Sequence, residues 1–471
     1  MAEGILLLFN SYEFMFLFLP VTLVVYFGLA RRRWTRGAVG WLAAASFFFY
    51  GWWDVRYVPL LLGSIVFNFL MGRGIEGAQR KKRWLVGGIV VNLLLLGYFK
   101  YTGFFLSTWN QVFGSGYAVP QIVLPLGISF FTFTQTAYLI DAYRGETRRY
   151  SFLTYCLFVT IFPHLIAGPI INHRDMIPQF SRLRNFCPDA RNIARGLVLF
   201  SLGLFKKVVI ADSLSPWVQA VFSETRAASF AEAWAGALSY TFQLYFDFSG
   251  YSEMAIGLGL LLNLRFPQNF NSPYQANSII DFWRRWHMTL GGWVRDYLYI
   301  PLGGNRRGEG KKMRNLFVSM LIIGLWHGAG WTFVLWGGLH GVLLVINHQW
   351  RRLQLQLPLA CCRVLTFLSV LVCWVFFRAD TFTAGWQLCQ AMLDWQQLLG
   401  GQAMAWGLPA APVEVWSLLA LLLVLTAWMK NPLQLVASFR ADWRWLAASV
   451  LLMLWSLYAL AHVSDFLYFQ F

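Results

Sequence analysis

The sequence predicts an all-α polytopic membrane protein, and three observations carry this prediction. Of the 471 residues, 58% are hydrophobic and only 13% are charged, with a mean hydropathy of +0.52. A soluble domain typically carries about 25% charged residues. Apolar runs close to the ~20 residues that a helix needs to cross a bilayer recur along the chain. Clusters of Lys and Arg separate these runs, as the positive-inside rule requires.

The net charge of +17 is placed in a way that argues against nucleic-acid binding. Lys and Arg occur in short clusters between apolar runs, where they keep loops in the cytoplasm. The six cysteines form no CxxC pair and no Cys/His cluster with zinc spacing. We therefore expect neither a nucleic-acid partner nor a metal site.

The predicted spans of the N-terminal part alternate with basic clusters. They cover residues 14–29, 39–53, 57–71, 84–98 and 122–140. We predict that three basic clusters between these spans face the cytoplasm. They lie at residues 31–36, 73–83 and 144–149, and the last contains Arg144, Arg148 and Arg149. Residues 107–121 are predicted to form a loop. The span at 122–140 is rich in hydroxyl and amide side chains, which indicates contact with other helices or a wet cavity.

The middle of the chain is less regular. Pro and Gly residues interrupt the apolar run at 162–178, which favours a re-entrant segment. His164 in this segment either lines a cavity or bonds to the backbone. Residues 193–221 carry Lys206 and Lys207, which predicts a broken or tilted segment with snorkelling lysines. The long run at 234–262 contains Asp247, which either pairs with an Arg or caps a helix break at Gly250.

Residues 269–340 hold the densest set of candidate functional residues. A turn is predicted at 269–274. The helix after it is predicted to begin after Asn277 or Ser278 and to continue through Trp293. We expect this helix to lie near the cytoplasmic interface. Residues 301–314 form a Gly-rich basic loop, which either sets the topology or attracts a phosphorylated donor. The following apolar segment, 316–339, contains His327, and Gly337 and Gly338 are predicted to allow a bend after it.

Two histidines stand out in this region because ionisable side chains are expensive in apolar membrane segments. His327 lies between Trp326 and Gly328, and His287 precedes it by forty positions. Each is either a functional group that faces a cavity or a structural group bonded to a neighbouring helix. A neutral imidazole is suited to accept a proton from an acceptor hydroxyl. Because no GxSxG elbow is present, a base acting directly on the acceptor fits better than a serine acyl-enzyme.

The C-terminal part adds further spans and brings the predicted total to roughly eleven crossings. These spans cover residues 340–351, 364–377, 413–429 and 445–460. Residues 381–412 are mixed in character and are predicted to lie along a surface.

Several sequence blocks together resemble one known family. They read PLGISFFTFTQTAYLIDAYRGE, FPHLIAGPI, YFDFSGYSEMAIGLG, FWRRWH, RDYLYIPLGGNR, GLWHGAGWTFVLWG and the terminal FLYFQF. In this order they are similar to the membrane-bound O-acyltransferase family, in particular its bacterial alginate O-acetyltransferase branch. The resemblance covers most of the chain.

The resemblance implies a fold, a site and a reaction. The implied fold is a single domain, 1–471, with a ring of about eleven transmembrane helices plus re-entrant and interfacial helices around a thin central cavity. The catalytic core would be about 120–350, with His327 as the family's essential histidine and His287 as the second histidine of the bacterial branch. Further candidates for substrate or donor binding are Trp326, Arg295, Asp296, Arg306, Arg307 and Asp247.

The implied reaction uses acetyl-CoA or an acyl carrier from the cytoplasm as co-substrate, with no bound cofactor. The acceptor would be an extracytoplasmic polysaccharide such as alginate, cellulose or peptidoglycan, reached directly or through a periplasmic acetyl-transfer protein at the bacterial inner membrane. One alternative within the family is D-alanyl transfer toward teichoic acid. A transporter that uses buried polar residues as a pathway is an alternative of another class.

Overall fold

The computed structural model describes residues 7–147, 149–223, 228–399 and 406–460. In those residues all regular secondary structure is helical. The predicted terminal block FLYFQF and Arg148 of the third basic cluster lie outside the described residues. The chain forms two compact units. The first comprises Met1–Leu204, Tyr251–Gln268 and Phe439–Met453, and the second Phe205–Gly250, Asn269–Ser438 and Leu454–Phe471.

The helices up to residue 261 follow the apolar runs closely. They are α1 (Leu19–Arg31), α2 (Thr35–Trp53), α3 (Val58–Gly77), α4 (Lys81–Leu96), α5 (Thr102–Phe113), α6 (Ile128–Arg144), α7 (Phe152–Thr160), α8 (Phe162–Leu165), α9 (His173–Met176), α10 (Ala190–Phe205), α11 (Asp212–Phe222) and α12 (Phe230–Leu261). π-helical turns at Phe14–Phe18, Gly97–Tyr101 and Lys206–Ala211 extend α1, join α4 to α5 and join α10 to α11.

The remaining helices carry the candidate site and the C-terminal spans. They are α13 (Ile279–Trp283), α14 (Met288–Val294), α15 (Glu309–His327), α16 (Trp331–Arg352), α17 (Leu359–Arg378), α18 (Phe382–Leu393), α19 (Gln396–Leu399), α20 (Pro412–Trp428), α21 (Pro432–Ala437) and α22 (Trp443–Ala459).

The chain is a multi-pass membrane protein. Among the described residues, four helical segments are long and apolar enough to cross a bilayer: Phe14–Arg31, Val55–Gly77, Lys81–Phe113 and Leu359–Arg378. Two shorter apolar helices, Pro412–Trp428 and Trp443–Ala459, match the last two predicted spans. The third segment continues to Phe113, so the predicted loop at 107–121 begins later than expected. The ring of about eleven crossings stays a prediction.

Polar side chains inside the first unit bond to one another across helices. Asn68 of α3 and Asn92 of α4 exchange two amide hydrogen bonds of 3.0 and 2.6 Å. The Gln135 amide of α6 donates to the Ser64 hydroxyl of α3 at 2.9 Å. Interhelical bonds of this kind satisfy polar groups where water is scarce. They support the prediction that the polar span at 122–140 contacts other helices.

The Pro- and Gly-rich stretch after α7 is irregular, as its sequence predicts. It contains only the short helices α8 and α9 and a 3₁₀ turn, Ile177–Ser181. His164 is fully buried there, with Nδ1 2.8 Å from the carbonyl oxygen of Pro169. A ring held by a nearby backbone carbonyl corresponds to the structural alternative for this histidine.

Three local predictions in the second unit are wrong. The helix expected to run from Ser278 through Trp293 is broken into α13 and α14, with His287 in a left-handed conformation between them. The apolar segment at 316–339 is not continuous, because α15 ends at His327 and α16 begins at Trp331. The bend expected at Gly337 and Gly338 is absent, since both residues lie inside α16.

Gly324 and Gly337 instead allow the close approach of α15 and α16. A Cβ atom at Gly324 would overlap the carbonyl oxygen of Phe333, and one at Gly337 would overlap the carbonyl oxygen of Met320. Small residues of this kind let helix backbones pack together in membranes. The junction between the two helices, where His327 is the last residue of α15, is therefore fixed by backbone-to-backbone packing.

We expect Gly337→Ala to lower the thermal midpoint of the detergent-solubilised protein and to reduce its activity. Overpacking typically costs about 1–3 kcal/mol, and here the obstacle is backbone that cannot rotate away. Gly338→Ala is the matched control, because its Cβ would lie 3.5 Å from a methyl carbon of Leu321, an ordinary contact. Equal midpoints for the two variants would contradict this role of Gly337.

Candidate functional site

His327 lies at the junction of α15 and α16, in aromatic surroundings. It is the last residue of α15, because the backbone becomes extended at Gly328 with φ −153°, and it is 5% exposed. Ring centroids lie at 4.9 Å for Trp326, 5.1 Å for Trp336 and 5.4 Å for Phe377, all three in T-shaped geometry. Packing against these three aromatic rings therefore restricts the orientation of the imidazole.

His287 occupies the break between α13 and α14. Its φ of +43° is unusual for a residue with a side chain, and such strain is concentrated at functional sites. The ring is fully buried against Phe248 at 4.9 Å, and Nδ1 lies 3.2 Å from Oδ1 of Asn269. That oxygen also accepts the Thr289 hydroxyl at 2.7 Å. Because an amide oxygen only accepts, Nδ1 carries the proton and Nε2 the lone pair in the neutral ring.

The two histidines, distant in sequence, lie close together in the structure. Their ring centroids are 6.4 Å apart, and the Trp326 ring is 6.3 Å from His287. Even if a nitrogen of each imidazole faced the other ring, the two nitrogens would lie farther apart than the ~2.7–3.2 Å of a direct hydrogen bond. The spacing suits a small group, such as a hydroxyl, placed between them. The structure thus brings together three predicted site residues: His287, His327 and Trp326.

The charged candidates from the predicted donor region lie on the surface. Arg295 and Asp296 form a two-pronged pair with each other, at 2.7 and 2.9 Å, in the π-helical turn Arg295–Tyr299. Arg306 and Arg307 are exposed in the loop before α15. Since exposed cations attract anions without a built pocket, this geometry leaves both roles of the loop open, topology and donor attraction.

Asp247 belongs to a buried charge cluster with Lys207 and Asp212. The Lys207 ammonium lies 2.9 Å from the Asp247 carboxylate and 2.7 Å from the Asp212 carboxylate, and all three side chains are at most 3% exposed. The expected break at Gly250 is absent, because α12 is continuous, and the partner is a lysine rather than an arginine.

The snorkelling predicted for Lys206 and Lys207 is also wrong. Both are buried, and the Lys206 ammonium lies over the Tyr245 ring at 5.1 Å. Ion pairing and aromatic contact replace the headgroup region as their environment. Phe248, next to Asp247 on α12, packs on His287, so the charge cluster fixes the part of α12 that supports this histidine.

Sequence reasoning missed a second aromatic layer next to His327. Trp336 and His340 lie four residues apart on α16, and their ring centroids are 4.9 Å apart. The indole N–H of Trp283 donates to Nδ1 of His340 at 3.3 Å. The i, i+4 spacing of Trp336 and His340 is the signal that could have revealed this layer.

Comparison with known proteins identifies the family of this chain. The family model described as MBOAT, membrane-bound O-acyltransferase family, matches residues 47–379, which include both histidines. A peptidoglycan O-acetyltransferase from Helicobacter pylori is 42% identical over 518 residues, covering 99% of this chain and 98% of the relative. A probable alginate O-acetylase from Pseudomonas aeruginosa is 42% identical over 446 residues, covering 91% of this chain and 83% of the relative.

A more distant relative corresponds to the alternative considered from the sequence. A teichoic acid D-alanyltransferase from Streptococcus thermophilus is 29% identical over 239 residues, covering 48% of this chain and 57% of the relative. The chain is thus far more similar to O-acetyltransferases than to this D-alanyltransferase. On the family match and these identities, the chain belongs to the membrane-bound O-acyltransferase family and is an acyltransferase.

Proposed function

We propose that this protein transfers an acetyl group from acetyl-CoA to an extracytoplasmic polysaccharide, with His327 as general base. The observation that carries the proposal is the pair His287 and His327, buried with ring centroids 6.4 Å apart. Two imidazoles at a spacing that one hydroxyl group can bridge suit proton transfer from an acceptor. The similarity to a peptidoglycan O-acetyltransferase and to a probable alginate O-acetylase supports acetyl as the acyl group.

The reaction follows from acyl-transfer chemistry at this pair. The acceptor hydroxyl oxygen attacks the thioester carbonyl carbon while His327 takes the hydroxyl proton, and the carbonyl π electrons move onto oxygen. When the tetrahedral intermediate collapses, the C–O bond re-forms its double bond and the C–S bond breaks. His327 then returns its proton to the leaving thiolate. The products are an ester and free CoA, and the base is regenerated.

In this mechanism His287 positions the acceptor. Its Nδ1–H donates to Asn269, so Nε2 is the acceptor nitrogen of the neutral ring, the type of group to which a substrate hydroxyl donates. The strained backbone at His287 fixes the imidazole relative to α14.

We also propose that about eleven transmembrane helices surround a thin centre. A thin centre lets a cytoplasmic donor and an acceptor from the other side meet at mid-depth.

The proposed location is the bacterial inner membrane, with the donor on the cytoplasmic side. A periplasmic acetyl-transfer protein would carry the group onward where the polysaccharide does not reach the site directly. Alginate, cellulose and peptidoglycan all present hydroxyl groups of the required kind.

Purified protein with acetyl-CoA labelled in the acetyl group tests the proposal. We expect thioester cleavage that increases with added polysaccharide or peptidoglycan fragments, and label bound to the acceptor in a base-labile ester. An absence of cleavage with every acceptor, together with transport of label by proteoliposomes, would instead support a transporter. Cleavage of D-alanyl carrier protein but not of acetyl-CoA would support the D-alanyl alternative.

Neutralising Arg306, Arg307, Lys311 and Lys312 together is expected to raise the apparent KM for acetyl-CoA. Arg306, Arg307 and Lys311 are exposed and Lys312 is half-buried. These cations attract the phosphate groups of the donor, and the effect should shrink at high salt because charges near the surface are screened. The KM at low and high ionic strength is the measurement. Neutralising the matched cluster Arg80, Lys81, Lys82 and Arg83 is the control. An unchanged KM in correctly inserted protein would leave only the topological role of the loop.

A further inference from the structure

Two buried N–H groups beside the histidine pair are not used by the mechanism above. Trp336 and His340 are both 0% exposed. Trp336 Nε1 and His340 Nε2 have no hydrogen-bond partner within the part of the chain that the structure describes. Buried polar atoms are almost always hydrogen bonded, so an atom that is not requires an explanation.

The contact with Trp283 determines which protons His340 carries. An indole N–H can only donate, and that of Trp283 points at Nδ1 of His340 at 3.3 Å. Nδ1 must therefore hold a lone pair, which excludes the doubly protonated ring. The proton of the neutral imidazole then lies on Nε2. Trp336 Nε1 and His340 Nε2 are accordingly both donors, and both lack an acceptor among the described residues.

These donors lie next to the proposed base. The ring centroids of Trp336 and His340 are 4.9 Å apart, close enough for one oxygen atom to accept from both. The Trp336 ring also contacts the His327 ring at 5.1 Å. A ligand oxygen bound by the two N–H groups would therefore be held by a residue, Trp336, whose ring itself contacts the ring of the base.

The surroundings of the donors select the chemistry of that oxygen. Phe282 stacks on His340 at 6.2 Å, Trp374 stacks on Trp336 at 5.6 Å, and Phe377 meets Trp336 at 5.0 Å. Neutral donors among aromatic rings do not suit a fully charged phosphate, which requires cations. They suit a small neutral carbonyl group whose oxygen gains negative charge only during the reaction.

We propose that the indole N–H of Trp336 and the Nε2–H of His340 bind the carbonyl oxygen of the transferred acyl group. The inference rests on the proposed function. When the acceptor attacks, the carbonyl π electrons move onto this oxygen, and the two hydrogen bonds strengthen as its negative charge grows. When the C–S bond breaks, the carbonyl is restored and the charge leaves with the thiolate. Trp283 is a positioning residue, because it keeps the proton of His340 on Nε2.

The test replaces the indole of Trp336 by benzothiophene, incorporated as an unnatural amino acid, which exchanges the N–H for sulfur and preserves the ring shape. Removing one donor of this kind typically lowers kcat by about 10²–10³-fold. We expect that loss of kcat with a little-changed KM for acetyl-CoA, and a similar loss in Trp336→Phe. The control is the same replacement at Trp41, whose N–H donates to the backbone carbonyl oxygen of Thr22 within the first unit. The kcat of that variant should stay unchanged.

His340→Phe supplies the second arm, because it keeps a ring against Phe282 and removes the Nε2–H. If both donors bind one oxygen, the loss in the double variant should differ clearly from the product of the single losses. A kcat within threefold of wild type for the benzothiophene protein would overturn the proposal. If its thermal midpoint fell while kcat stayed unchanged, the indole N–H would instead bind a structural water. Failure of the proposed function would look different, since wild-type protein would then not cleave acetyl-CoA at all.

Discussion

His327→Ala is expected to abolish acyl transfer while the protein still inserts into the membrane and folds. A positioned general base contributes about 10²–10⁴-fold to the rate, and the aromatic rings around His327 leave little room for water to replace it. His327→Gln retains hydrogen bonding without basicity, so it should be nearly as inactive. The measurements are the transfer rate and the thermal midpoint of each variant in detergent.

His164→Gln is the matched control for this prediction. His164 is also buried, but its ring is held by the carbonyl oxygen of Pro169. The same substitution should therefore lower the thermal midpoint and leave the rate per folded molecule unchanged. His287→Gln should lose less activity than His327→Gln if it only orients the acceptor. Wild-type turnover by His327→Gln would show that His327 is structural and is not the base.

Lys207→Met is expected to cause the largest loss of stability. The substitution leaves the carboxylates of Asp212 and Asp247 buried without the cation that lies within 2.9 Å of both. Removing one partner of a buried ion pair typically costs about 3–5 kcal/mol, because the remaining charge stays uncompensated. We therefore expect a strong drop in the thermal midpoint and in the yield of folded protein. Activity should fall with it, since α12 also carries Phe248 against His287.

Lys311→Met provides the control, because Lys311 is exposed on α15 and its replacement should be nearly neutral. Adding Asp247→Asn to Lys207→Met should recover part of the stability, because one buried negative charge is then removed. A midpoint for Lys207→Met that equals the control would contradict a buried, ion-paired lysine.

The sequence predicts the helices well and their interruptions poorly. Apolar run length locates α2, α17 and α20 to within a few residues, because a bilayer selects for length and hydropathy alone. The end of α15 at His327 is not visible in the same pattern, since the apolar run continues across it. Gly324 and Gly337 determine the packing there, and a glycine in a sequence does not indicate whether it bends a helix or lets another helix approach.

For the candidate site, residue type singles out two histidines but gives no information about their partners. An ionisable ring in an apolar segment is conspicuous, which makes His287 and His327 candidates. The sequence around Asn269 predicts a turn. The bond of Asn269 to His287 depends on a left-handed backbone at His287 that no periodicity encodes. Lys207 and Asp247 are forty positions apart, and hydropathy gives no information about which charges pair across such a distance.

The position of His327 at the end of α15 has an electrostatic consequence for the proposed base. The C-terminus of an α-helix carries roughly half a negative elementary charge, which stabilises a cation placed there. A base that is ready to accept a proton is neutral and gains little from this field. The field acts on the imidazolium that exists between proton abstraction and the return of the proton to the leaving group. It therefore favours the transition state over the resting enzyme.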